Sequence, residues 1–171
     1  MDRVVVVGGS LAGLRAAEEL RTQGYEGAIA VVGDEPHRPY DRPPLSKQVL
    51  AGKQEPEATA LAPAVGTLED LAIDWRLGER ATGLDLGARE VLLGGGTRLG
   101  FDGLVVATGA TPRHLSGTDH LGGVHTLRTL DDSIAIRAAV LASPRRIAVV
   151  GVGFIGAEVA ATCRGLAWRS R

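Results

Sequence analysis

Apolar residues fall in short runs separated by glycine- and proline-rich breaks, the pattern of an α/β chain with tight connections. Residues 4–7 are four consecutive valines, too few for a helix core and followed by glycine. Such a run predicts a parallel strand buried on both faces. Leu14, Ala17 and Leu20 then recur at helical spacing, and residues 28–32 read as a second strand. Residues 73–77, 80–84, 90–93, 97–101 and 104–107 read as further strands, the last of them buried and parallel. Asp85-Leu86-Gly87 and Gly94-Gly95-Gly96 are hairpin signals inside that group. Helices are expected around residues 65–71 and over 131–141, the second opened by Thr129 with Asp132 and stopped by Ser143-Pro144. Residues 146–150 predict one more strand, and a helix follows over 154–163.

Two of the breaks carry chemistry. The stretch RVVVVGGSLAG, residues 3–13, has the form of a dinucleotide phosphate-binding turn. Its first glycine makes the bend and its last lets helix and strand pack closely. The free N–H groups at the helix start, aided by the helix dipole, suit a pyrophosphate. Gly8, Gly9, Ser10, Ala12 and Gly13 are the candidate contacts; Ser10 stands where the motif has its middle glycine, a small residue whose hydroxyl can donate to phosphate. Asp34, with Glu35, ends the second strand about 20 residues on, where the motif places an acid for a ribose hydroxyl. The alternative is a glycine-rich connection that binds nothing. The second break, Gly151-x-Gly153-x-x-Gly156 with Glu158 two residues later, is a complete motif. Two such units imply two nucleotides facing each other.

Composition narrows the class. A formal charge of −1 argues against nucleic acid or an anionic membrane as the main partner. No apolar run approaches the roughly 20 residues of a membrane span, and Asp2 follows Met1 without a signal-peptide core. A single cysteine, Cys163, excludes an internal disulfide and a C-x-x-C pair, so a cytoplasmic setting is expected. His114, His120 and His125 lack metal-ligand spacing, so no metal is expected. No Ser-His-Asp arrangement or other catalytic residue stands out; cofactor chemistry needs none.

Residues 33–47, GDEPHRPYDRPPLSK, hold four prolines in a stiff, non-helical loop entering a short helix near Pro44. This segment strongly resembles FAD-dependent ferredoxin reductases of the putidaredoxin-reductase and rhodocoxin-reductase type, and the resemblance runs from Arg3 to about Gly165. It implies a doubly wound parallel sheet: a Rossmann-like FAD domain with a β-meander crossover over residues 1–111, then the start of a Rossmann-like NAD domain over 112–171. The implied cofactors are FAD and NAD(P)H, and the implied acceptor is an iron–sulfur ferredoxin of a monooxygenase or dioxygenase system. In that family the loop with Arg42, Pro43 and Lys47 lies against the flavin, and the Ala81 backbone meets the adenine end. Ala107, Thr108 and Gly109 close over FAD, and Arg128 is a phosphate or ribose contact. Gly151, Gly153, Gly156 and Glu158 match the NAD motif. Related disulfide reductases carry a cysteine pair in the loop region; residues 34–60 hold none, which points to an external electron carrier. A rubredoxin or nitrite reductase component of the same fold, or a non-catalytic fragment binding FAD weakly or not at all, are the alternatives.

The NAD unit should continue with Gly-x-x-Val and a strand ending in an acid. The chain instead reads Gly165-Leu-Ala-Trp-Arg-Ser-Arg171. The expectation is the N-terminal part of a reductase, truncated or frameshifted, with residues 168–171 foreign to the family. Exposed apolar surface is then expected to favour self-association.

Overall fold

Four parallel strands, residues 73–77, 28–33, 3–7 and 103–106, lie side by side in that order in a computed structural model that describes residues 1–169. Of the ending expected to be foreign, Ser170 and Arg171 lie outside the described residues. The central strand, β1 (Arg3–Val7), pairs with β2 (Ala28–Gly33) and with β7 (Gly103–Val106). The outer strand β3 (Ile73–Leu77) pairs with β2. Alternation sends the valines to both faces. Val4 and Val6 join Ile29, Val31 and Ala17 under helix α1 (Leu11–Thr22). Val5 joins Ala30 and Val32, packed against Val91, Leu93 and Leu99 of an antiparallel sheet. That second sheet is β4 (Ala81–Asp85), β5 (Glu90–Leu93) and β6 (Arg98–Gly100), the expected meander.

These elements belong to one compact unit, residues 1–40 and 60–109; residues 41–59 and 110–171 cluster as another. The second unit contains a 3-10 helix at Pro43–Ser46, α2 (Leu130–Leu141) and α3 (Phe154–Arg169). Leu50, Ile136, Val140 and Cys163 form its core, and burial raises the Cys163 thiol pKa. The buried Ser133 hydroxyl donates to the Leu45 carbonyl at 2.7 Å. The capping box at α2 is present: Asp132 N donates to Thr129 Oγ1, and Asp132 Oδ2 accepts from the Thr129 amide at 2.8 Å.

Three expectations are corrected. Residues 65–71 are turns rather than a helix. Gly66 takes φ +73°, and Asp70 accepts from the Thr67 amide and hydroxyl at 2.7 and 2.9 Å. Such local side-chain bonds compete with the helical ladder. The last strand of the sheet, β7, is parallel but not buried; it lies at the edge, and Val106 is 67% exposed. Residues 146–150 form no strand. A parallel strand exists only through a neighbour's N–H and C=O groups, and among the described residues none pairs with this run.

Candidate functional site

In the first unit, the glycine turn joins β1 to α1. A Cβ on Gly13 would lie 1.9 Å from the Gly8 carbonyl oxygen, so only glycine lets the helix approach the strand this closely. Gly8 has φ +127°, and a Cβ there would meet the Ala107 carbonyl oxygen at 2.0 Å and Thr108 N at 3.1 Å. The Ala107-Thr108-Gly109 segment is therefore seated on the turn, tied by the Ala107 amide donating to the Val7 carbonyl at 2.7 Å. Gly109 takes φ +69°. Ser10 is the N-cap of α1 with extended backbone and no side-chain cap hydrogen bond, and Ala12 lies in the first turn. No acidic residue occupies that turn, so nothing there competes with an anion for the positive helix end.

At the carboxyl end of β2, the Asp34 carboxylate faces the Arg80 guanidinium at 3.2 Å. Glu35 accepts from the Tyr40 hydroxyl, and His37 meets the Tyr40 ring edge-on at 6.1 Å. The Arg38 guanidinium covers the Trp75 ring at 5.0 Å. These contacts tie the proline loop to the end of β2 and to Trp75 of β3. Ala81 opens β4 opposite Leu93.

The second unit repeats the turn. Gly151 takes φ +113°, and a Cβ on Gly156 would lie 2.3 Å from the Gly151 carbonyl oxygen. Ala157 N donates to the Gly153 carbonyl at 3.0 Å, as Leu14 N donates to that of Ser10 at 2.9 Å. The bend and the close approach of glycine to glycine thus form even where the preceding residues make no strand. Lys47 and Glu158, assigned to different cofactors from the sequence, meet in one ion pair at 2.9 Å. The Ser46 hydroxyl donates to the same Glu158 oxygen. The Ser46 bond, then the Lys47 ammonium, hold the Glu158 carboxyl below the usual carboxylate range. Thr162 Oγ1 donates to the Ser46 carbonyl at 2.9 Å. Pro43 begins the 3-10 helix, and Arg42 Nη1 donates to the Arg128 carbonyl. The exposed Arg128 is itself held through its amide, which donates to Asp132 at 2.8 Å.

Arg80 and Ser46 were missed in the sequence. Each acts across a long separation, Arg80 with Asp34 over 46 positions and Ser46 with Glu158 over 112, and no spacing rule marks such pairs. Among the described residues no group of His, Cys, Asp and Glu could hold a metal ion, and no helix is long and apolar enough to cross a membrane.

Two glycine turns of one geometry, the first on a parallel sheet with an acid at the next strand's end, define a dinucleotide-binding α/β protein. The sequence matches the pyridine nucleotide-disulphide oxidoreductase family over residues 2–169, and the chain belongs to that family. It is 45% identical to the biphenyl dioxygenase system ferredoxin–NAD(+) reductase component of Paraburkholderia xenovorans, over 97% of this chain and 40% of that protein. It is 41% identical to rhodocoxin reductase of Rhodococcus erythropolis, over 94% of this chain and 38% of that protein. Among solved structures, the covalent putidaredoxin reductase–putidaredoxin complex matches with TM-score 0.87 at 38% identity, over 96% of this chain and 40% of that one. The chain thus spans about 40% of the length of these relatives.

Proposed function

We propose that this chain carries the FAD-binding part and the first portion of the nicotinamide-binding part of an NAD(P)H-dependent ferredoxin reductase. The observation that carries the reading is the doubled turn: Gly8 with Gly13 and Gly151 with Gly156 make the same close approach. Each leaves amides at a helix start for a pyrophosphate. In the first unit the fit to FAD is direct. The amides beside Gly9, Ser10 and Ala12 take the diphosphate, Asp34 takes the adenosine ribose, and Ala81 and the Ala107–Thr108 backbone bound the cofactor. In the second unit Gly151, Gly153 and Gly156 take the diphosphate of NAD(P)H.

The bound pair supplies hydride transfer from nicotinamide to flavin, followed by single electrons to an iron–sulfur ferredoxin of an oxygenase system. The protein's share is to bind, orient and exclude water. The names of the relatives, reductase components of a dioxygenase system and of rhodocoxin, support this acceptor class. A cytoplasmic setting and association of copies through exposed apolar residues belong to the same reading.

The test is the visible spectrum of the purified chain with added FAD, before and after anaerobic NADH. A flavin spectrum that bleaches is expected if both turns work in this chain. Bound flavin that stays oxidised would limit the reading to the first unit, and no retained flavin would overturn it.

A further inference from the structure

Arg80 is fixed beside Asp34 by backbone as well as by charge. In the β3–β4 connection, Glu79 N donates to the Gly33 carbonyl at 2.9 Å and Gly78 N donates to the Glu35 carbonyl at 3.0 Å. The two bonds bracket Asp34. Gly78 takes φ +74°, which lets the chain reverse there. On the other side, the Arg80 carbonyl accepts from Gly94 N at 2.8 Å. From this anchored position Arg80 Nη1 reaches Asp34 Oδ2 at 3.2 Å. The neighbouring cation, Arg76, is turned elsewhere, to Asp74 at 3.0 Å and Glu79 at 3.8 Å.

The Arg80 and Asp34 side chains are 70% and 62% exposed. A pair so exposed adds little to folding, so folding does not explain a cation tied to this spot. Its place does: Asp34 is the acid at the carboxyl edge of β2, where a dinucleotide's adenosine ribose binds. We propose that Arg80 is a positioning residue of the adenosine subsite. It occupies Asp34 Oδ2 and turns the carboxylate so that Oδ1 accepts from the ribose hydroxyl. A flexible acid at a strand end is thereby held in its binding orientation before ligand arrives, which lowers the ordering cost of binding. The inference rests on the reading that the first turn binds FAD.

The experiment titrates FAD, and an FAD analogue built on 2′-deoxyadenosine, into the full 171-residue chain by flavin fluorescence. It compares wild type, Arg80→Lys, Arg80→Gln, Asp34→Asn and the Arg80→Gln/Asp34→Asn double variant. Arg80→Gln is expected to weaken FAD about 3- to 10-fold and the deoxy analogue much less, with lysine restoring most of the loss; coupling of neighbours of this size is ordinary. On the Asp34→Asn background, Arg80→Gln should cost nothing further. An equal loss for FAD and analogue, no loss, or the same loss without Asp34 would overturn the proposal while FAD binding by wild type stands. Failure of wild type to bind FAD would overturn both this proposal and the reading beneath it.

Discussion

The Lys47 ammonium stands 2.9 Å from the Glu158 carboxylate, and the Ser46 hydroxyl donates to the same oxygen. A carboxyl whose pKa is depressed by folding contributes stability above its unfolded pKa, and that contribution fades as pH falls through the folded value. The Glu158 pKa is lowered, first by Ser46 and then by Lys47. Denaturant midpoints of wild type and Glu158→Gln should therefore differ by a constant amount above about pH 5 and converge in more acidic buffer. In an NMR titration, Ser46→Ala should raise the Glu158 pKa toward the ordinary range. A midpoint difference that ignores pH would show that the carboxylate's charge plays no part.

Gly13 tests the first turn directly. Alanine there would place its Cβ 1.9 Å from a backbone carbonyl oxygen, which no side-chain rotation relieves. Gly13→Ala is expected to cost about 1–3 kcal/mol by overpacking and to lower FAD affinity more than tenfold. Gly100→Ala, where nothing lies within 4 Å, is the control and should do neither. Thermal melts and flavin titration of both variants decide the matter; equal behaviour would remove the close-approach argument.

At the start of α2, Thr129 and Asp132 satisfy one another's amides, and Asp132 also accepts from the Arg128 amide at 2.8 Å. Thr129→Ala should cost about 1 kcal/mol, as cap removals do. Circular dichroism melts would then shift by roughly 2–4 °C for a chain of this size. Thr129→Ser, which keeps the acceptor, should restore most of it.

Hydrogen exchange should separate two valine-rich segments of similar composition. Residues 4–7 sit in a ladder with strands on both sides, whereas residues 146–150 have no strand partner among the described residues. Val150 is 78% and Val152 99% exposed. Amides of residues 147–150 are expected to exchange almost without protection, while those of β1 approach the global limit. Comparable protection in both segments, concentration-independent, would mean the second run pairs after all.

What was legible in the sequence was what local chemistry decides. The valine run with Gly8 and Gly13 specified strand, bend and helix together. Thr129 and Asp132 announced α2, and the glycine breaks announced the meander. The same local rules misread residues 65–71, because Asp70 bonds back to Thr67 and the helical apolar spacing carries no trace of it. Residues 146–150 have a strand's composition, but a strand is a relation between chains of atoms and needs its neighbour. Within the site, the turn glycines could be read from their spacing. Arg80 beside Asp34 and Ser46 against Glu158 could not, since topology rather than sequence distance brings them together.

The tie between the two ends of the first unit has a consequence for synthesis. Asp102 Oδ2 accepts from the amides of Asp2 and Arg3 at 2.7 and 2.9 Å, and Val4 lies in register with Gly103. β1 and β2 leave the ribosome long before β7 does. At about 5–20 residues per second, one edge of the central valine strand waits on the order of 5–20 seconds for its partner. Throughout that interval the nascent strand is open to other edges and to chaperones, and its length is set by the pace of translation.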